Sequence, residues 1–313
     1  MFSASSLLVI VGLVLFEIVS SIDNAVINAG VLKNMSTRAR KWFLTYGLFF
    51  AVFMVRGILP FGIVWLANPS IPFLEVIHLS FTDPVRSHEL IEQGAPLLLI
   101  GGGIFLVLLF LNWIFNEAKT IAFGFEKFFL AQSIWFYAAA SFLLVGIIGL
   151  AENKASYLSL AAAIGSSTFF IIHGLNQKAE EAEAKMLKET SGSSDFSKLL
   201  LLLVIDAVFS IDGVVGAFAF TTSVPLILLG NGIGALVVRQ ITVGNIERIE
   251  SLKLIKNGAM YSIGLLGCVM LLDAFKVHVP EWLSPLATLI IVGYFFWRSI
   301  DLNKRNQLIT AQG

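Results

Sequence analysis

Long apolar runs interrupted by short charged segments dominate the pattern of this chain. A membrane-spanning helix needs roughly 20 mostly apolar residues. Nine stretches are that long, at 6–30, 42–66, 96–116, 128–150, 156–174, 199–222, 224–243, 257–275 and 283–300. The pattern therefore predicts an all-α polytopic membrane protein with about nine transmembrane helices. The first run lacks a basic leading region and holds Glu17 and Asp23 inside its apolar stretch, so it is expected to be a span and not a cleaved leader. Two segments stand outside the spans. Residues 67–95, with three prolines and several acids, read as an ordered surface loop, or more sharply as a cation-collecting vestibule. Residues 175–198 read as a short charged helix followed by a flexible Ser/Gly linker. The organisation expected is a first membrane half, 1–174, the charged linker 175–198, and a second membrane half, 199–313.

Composition agrees with this and narrows it. Hydrophobic residues make up 57% of the chain and charged residues 13%, with mean hydropathy +0.85. Soluble domains are nearer 45–50% and 25%. Net charge is zero, which leaves no basic face for nucleic acid. The single cysteine, Cys268, excludes a disulfide framework or a cysteine zinc site. It reads as a small buried apolar residue, and Trp135 reads as a packing residue. Sorted by loop, 16 of the 21 Lys and Arg fall on one side of the membrane and three on the other. Positive-inside bias then places the N-terminus outside and the C-terminus in the cytoplasm of a cell (inner or plasma) membrane. The remaining two, Arg56 and Arg239, fall inside spans.

Those two arginines belong to an internal repeat. Residues 17–30 read EIVSSIDNAVINAG and residues 206–219 read DAVFSIDGVVGAFA. Aligned without gaps, Ser21 meets Ser210, Asp23 meets Asp212, and Glu17 meets another carboxylate, Asp206. The following span in each half carries Gly-x8-Arg, as Gly47…Arg56 and Gly230…Arg239. Apolar matches arise easily in Val/Ile-rich sequence, but matched intramembrane ions do not. Each Asp or Arg at a helix centre costs about 2.5–3.5 kcal/mol on insertion scales. Because the copies lie on spans one and six, they cross the membrane in opposite directions. Inverted repeats meeting at the midplane are a recurring transporter plan.

The side chains suit a hard cation. Glu17, Ser20, Ser21, Asn24 and Asn28 fall within about a 100° arc of one helix, while Asp23 and Asp212 sit about 120° off their stripes. A helix break near Ser-Ile-Asp would bring the aspartates in, and Gly213 makes that easier in the second copy. Four carboxylates and two guanidiniums leave two negative charges, which one divalent ion would neutralise. Carboxylate, hydroxyl and amide oxygens suit Mn²⁺, Ca²⁺ or Mg²⁺. The expected ligands are Glu17, Asp23, Asp206 and Asp212, supported by Ser21, Asn24, Asn28 and Ser210. Arg56 and Arg239 are the expected charge partners. A buried acid left unpaired takes up a proton, which suggests proton exchange against the metal. The run 101–103 of three glycines follows no strand and reads as a helix-packing patch.

At these motifs the chain resembles the TerC family of membrane proteins. Glu17, Ser21, Asp23 and Asn24 look like its first signature, and Asp206 through Gly213 like its second. Asn257-Gly258-Ala259 and Val279-Pro280-Glu281 resemble a less characterised branch of that family. The second signature departs from the family's Asp-Ser-Ile-Pro, reading Asp212-Gly213-Val214-Val215, which removes a side-chain oxygen. The resemblance implies metal-ion export, notably of Mn²⁺, with the ion held by Glu17, Asp23, Asp206 and Asp212.

The reading is therefore a membrane transporter of a divalent cation, with Mn²⁺ favoured and efflux expected, and not an enzyme. The partners are the metal ion and the lipid bilayer; a homo-oligomer is left open. Two rivals are an intramembrane enzyme with an Asp23/Asp212 dyad and a scaffold subunit of a membrane complex. The orientation is open to a direct check. A phosphatase reporter inserted in 67–95 should be active, and one fused after Lys304 inactive; the opposite pattern contradicts the assignment.

Overall fold

The computed structural model describes residues 4–33, 35–47, 56–188, 194–244, 251–277 and 279–312, and every regular element among them is helical. The chain runs through α1 (Ala4–Ser20), α2 (Ile22–Lys33), α3 (Thr37–Trp42), a π-helical stretch (Phe43–Gly47) and α4 (Arg56–Ala67). It continues with α5 (Phe73–Thr82), α6 (Pro84–Asn116), α7 (Gly124–Ala131), a 3-10 turn (Ser133–Trp135), α8 (Phe136–Glu152) and α9 (Ser156–Lys188). The second half holds α10 (Asp195–Ala217), α11 (Val224–Gly244), α12 (Ile255–Ala274) and α13 (Leu283–Gln312).

Seven of these helices are long and apolar enough to cross a bilayer, and they coincide with the third to ninth predicted spans. The first span is the bent pair α1 and α2. The second is represented by Phe43–Gly47 and α4, with 48–55 outside the described residues. The outward faces of α8 and α9 agree with a lipid setting. Phe142, Val145, Leu160 and Ile171 are all exposed there, Phe142 by 79%. In water these would form a large hydrophobic patch; against lipid tails they are an ordinary surface.

Two layers of helices meet at the centre, and the contacts show that they run antiparallel. Along α1 and α2, Phe16 faces Gly216, Glu17 and Ser20 face Gly213, Asn24 reaches Asp206, and Val31 and Leu32 cluster with Leu202. Numbers rise on one side as they fall on the other. The α6–α12 crossing behaves in the same way: Gly102 meets Met270, Val107 meets Gly267, and Phe110 meets Gly264. The repeat-bearing helices also exchange partners. The first helix of one repeat packs on the second helix of the other, α1 on α11 and α10 on α4. This reciprocity is what two inverted repeats produce when they close around a common axis. Outside this centre, α9 packs on α6 and α8 on α9, while α13 covers α1 and α12.

Glycine sets how closely the helices approach. The 101–103 run is a packing patch, as expected: Gly101 lies against Ala161 and Gly165, Gly102 against Met270, and Gly103 against Leu271. A Cβ on Gly165 would sit 2.7 Å from the Cα of Gly101, where only backbone is available to give way.

Several local expectations change. Residues 67–95 are helical rather than a loop. Pro72 caps α5 and Pro84 occupies the first turn of α6, where its missing N–H costs nothing. The Asp83 carboxylate accepts from the Arg86 backbone N–H at 3.0 Å and starts the same helix. The charged segment after span five is no separate helix, because α9 continues through it to Lys188; residues 189–193 lie outside the described residues. Trp135 is exposed, not packed, since it sits in the peripheral turn before α8. Cys268 is also exposed. The most buried apolar side chains of α12 are Leu266 and Met270, and residue 268 is turned about 160° away from both.

Substitution at the α6–α9 crossing should be costly. Gly165→Leu is expected to lose about 1–3 kcal/mol by overpacking, lowering the melting temperature in detergent by several degrees. Gly149→Leu should change it little, because a Cβ at that position would meet nothing within 4 Å. Equal melting temperatures for the two variants contradict the crossing.

Candidate functional site

The sequence stripe of acid, serines and asparagines is assembled at the antiparallel contact of α1–α2 with α10. The first helix breaks there: Ala4–Ser20 and Asn24–Leu32 meet at 52°. The break falls in the first copy, whereas α10 passes unbroken through Ser210 and Gly213, contrary to the expectation that Gly213 would favour it. The cause is the pair Ser20-Ser21. Ser20 Oγ turns back to the Glu17 carbonyl at 3.3 Å, beside the Ser21 N–H that bonds the same oxygen at 3.1 Å, and serine pairs are common kink positions. The second copy has Phe209 in place of the first serine. Gly213 serves close approach instead: a Cβ there would lie 3.2 Å from Glu17 Oε2 and 3.7 Å from Ser20 Oγ. Gly234 of α11 closes on Glu17 from another direction, with a would-be Cβ 2.6 Å from the Glu17 Cβ. Glu17 is thus wedged between two glycines on two helices.

Arg56, at the start of α4, holds the cluster together. It is buried and ion-paired to Glu17. Its Nε donates to Ser210 Oγ at 3.0 Å and its Nη2 to Ser21 Oγ at 3.2 Å. Ser21 Oγ in turn donates to Glu17 Oε1 at 2.8 Å. Across the contact, Asn24 Nδ2 donates to Asp206 Oδ1, and Ser210 Oγ donates to the Asp206 carbonyl. Glu17 and Asp206 repel one another and are both attracted to Arg56.

The arrangement has a local two-fold character. In the gapless alignment Glu17 corresponds to Asp206, Asn24 to Gly213, and Ser21 to Ser210. Glu17 touches Gly213 and Asn24 touches Asp206, so each residue contacts the counterpart of the other. Arg56 bonds both members of the serine pair, which places its guanidinium close to the axis relating the copies.

Beside Arg56 lies a cavity of about 20 Å³, lined chiefly by Ser21, Asn24, Asn28, Asp206 and Thr242, with Phe43 at its edge. Asn24 Oδ1 and Asn28 Oδ1 are buried and accept no hydrogen bond. A buried acceptor left without a donor costs about 1–3 kcal/mol, so two in one small cavity call for a guest that donates hydrogen bonds or carries positive charge. The volume suits one atom-sized guest, since a single water needs roughly 10–15 Å³. A larger cavity of about 590 Å³ opens toward the N-terminal end of α1, lined by Ser5, Ser6, Val9, Thr221, Asp273 and Glu281 among others. Leu13 and the Phe16–Phe220 pair, with rings 5.6 Å apart, separate it from Glu17. Val9 and Glu17 are eight residues apart on α1, or ~12 Å.

Not every expected site residue joins. Asp212 lies on a different face of α10 and does not line the cavity; its Oδ1 is buried without a partner. Arg239 is half-buried, and among the described residues no carboxylate pairs with it. The Asp23 side chain lies outside the described residues. Among the described residues, Glu17, Asp206 and Arg56 therefore leave one net negative charge at the centre, where four acids and two arginines predicted two. Among the described residues, no three His, Cys, Asp or Glu side chains form a metal-holding cluster. The oxygen donors are instead one carboxylate, two amides and hydroxyls.

Partly buried Thr242 borders the cavity and donates to the Val238 carbonyl at 2.9 Å. One buried polar residue was not anticipated. Glu126, fully buried on α7, accepts from Asn257 Nδ2 at 3.0 Å, Tyr261 Oη at 2.6 Å and the Phe123 N–H at 2.9 Å. These three donors satisfy it and tie α7 to α12. The only sequence signal for it is its place three residues into the helix, where a glutamate caps the preceding N–H.

Comparison with known proteins places this membrane protein among uncharacterised relatives. It is 25% identical over 173 residues to the uncharacterized membrane protein YceF of Bacillus subtilis (strain 168). That match covers 53% of this chain and 66% of the relative, just under two thirds of its length. No solved structure matches. The family model that matches is described as protein of unknown function (DUF475) and spans residues 22–306. This overturns the resemblance to the TerC family: DUF475 is a distinct family, and membership of TerC is not shown. The Ser-Ile-Asp pattern is short and set in Val/Ile-rich helices, where apolar matches arise easily. Matched over nearly all of its length, the chain belongs to the DUF475 family.

Proposed function

We propose that this integral membrane protein carries a divalent metal cation, Mn²⁺ or Ca²⁺, through the cavity between α2 and α10. The observation that carries the reading is the pair of unpartnered amide oxygens, Asn24 Oδ1 and Asn28 Oδ1, beside the Asp206 carboxylate. Hard oxygen ligands of this kind suit Mn²⁺, Ca²⁺ or Mg²⁺. The site's position supports transport: it lies where two antiparallel copies of one motif meet, and carriers built from inverted repeats bind at that interface. Its size supports a carrier over an enzyme, because about 20 Å³ admits an atom-sized guest and no peptide or organic substrate. In this reading Asp206, Asn24 and Asn28 are ligands, Ser21 and Ser210 orient the cluster, and Glu17 is the second carboxylate. The larger cavity near Asp273 and Glu281 is the approach from outside, and Phe16 with Phe220 is the barrier between them. Efflux completes the proposal.

The test is flux in proteoliposomes loaded with Mn²⁺ or Ca²⁺. Asp206→Asn and Glu17→Gln should each lower flux at least about tenfold, the effect of losing one charge-assisted contact of about 1.4 kcal/mol. Asp212→Asn, outside the cavity, should lower it less. Undiminished flux in Asp206→Asn contradicts the site, and a wild-type protein that moves no divalent cation contradicts the function.

A further inference from the structure

Arg56 occupies the place that the local symmetry reserves for a shared ligand. It bonds the hydroxyls of both symmetry-related serines, is ion-paired to Glu17, and is 6% exposed. Its counterpart Arg239 is not there; it is half-buried, with no carboxylate partner among the described residues. One guanidinium fills the axis and excludes the other. The charges make this position informative. Among the described residues, Glu17 and Asp206 with Arg56 in place leave the centre at one net negative. A divalent ion added beside Arg56 would make it one net positive. A divalent ion that replaces Arg56 against the two carboxylates makes it neutral, the state that costs least inside a membrane.

We propose that Arg56 is a tethered cation, which neutralises Glu17 in the empty carrier and is displaced when the metal binds. The inference rests on the transport reading above and adds a step to it. A carrier with its own cation returns empty without stranding two carboxylates in the membrane. Loaded and empty forms then cross with comparable ease, and the protein performs net transport. Without the tether, only the metal-loaded form crosses, and the protein becomes an exchanger. Asn24 and Asn28 stay free of Arg56, so their amide oxygens remain available to the incoming ion.

The experiment compares two modes in proteoliposomes preloaded with ⁵⁴Mn²⁺: release into metal-free buffer, and release into buffer containing unlabelled Mn²⁺. In the wild type the two rates should agree within about threefold, because a compensated empty site is not the slow step. In Arg56→Ala, net release should fall at least about tenfold while exchange persists, because the empty site then carries two uncompensated charges. Guanidinium ion in the buffer should restore net release in that variant, as a purely structural role for Arg56 would not allow. Net release unchanged in Arg56→Ala overturns the proposal. So does an equal loss of both modes without a guanidinium response. Should Arg56→Ala fail to insert, the wild-type comparison decides alone: release accelerated tenfold or more by external metal overturns the tether. Wild-type vesicles that exchange metal but show that acceleration overturn only this step; vesicles that move no metal in either mode overturn the transport reading itself.

Discussion

An ionised side chain buried between apolar helices has to be compensated within its own hydrogen-bonding reach, because neither lipid nor water is available to do it. Here the compensation is Arg56 against Glu17, with Ser21 and Ser210 holding the guanidinium from both sides. The surrounding architecture follows from that pairing. Gly213 and Gly234 are small so that Glu17 can enter. The helix breaks after Ser20, where Ser21 turns to serve Glu17 and Arg56. Asp206 is held by Asn24 from across the interface. Arg56 is therefore also a joint between the two halves of the protein, since it and Glu17 come from the first repeat and its partner Ser210 from the second.

The coarse fold was legible in the sequence because lipid imposes a blunt rule. An apolar run of about 20 residues either spans or is buried, and seven of the nine runs became single spanning helices. The inverted repeat was legible for a related reason. Glu17/Asp206 and Arg56/Arg239 are too costly in a membrane to recur by drift alone. Helical spacing also placed Ser21, Asn24 and Asn28 on one face, and that face lines the cavity.

What the sequence could not show was how a symmetric motif resolves into an asymmetric site. Four acids and two arginines were counted as one constellation, but only one arginine fits at an axis. Arg239 stands aside, and Asp212 faces elsewhere on α10. The break falls at a serine pair, where Ser20 turns its hydroxyl onto the Glu17 carbonyl, and not at Gly213, whose missing side chain is used for packing. Glu126 was invisible for the opposite reason: its partners Asn257 and Tyr261 lie more than a hundred residues away and share no periodicity with it. The resemblance to TerC was carried by motifs spread along the membrane part, and the family model that matches, over residues 22–306, is that of DUF475.

The central claim is that Glu17 and Arg56 act as one unit at the repeat interface, and a double-mutant cycle in thermal stability addresses it most directly. Arg56→Gln alone should cost about 3–5 kcal/mol, since it leaves buried carboxylates uncompensated. Glu17→Gln on top of it should return part of that loss, with a coupling energy of at least about 1.5 kcal/mol. Losses that add within about 0.5 kcal/mol would show two independent residues and contradict the account.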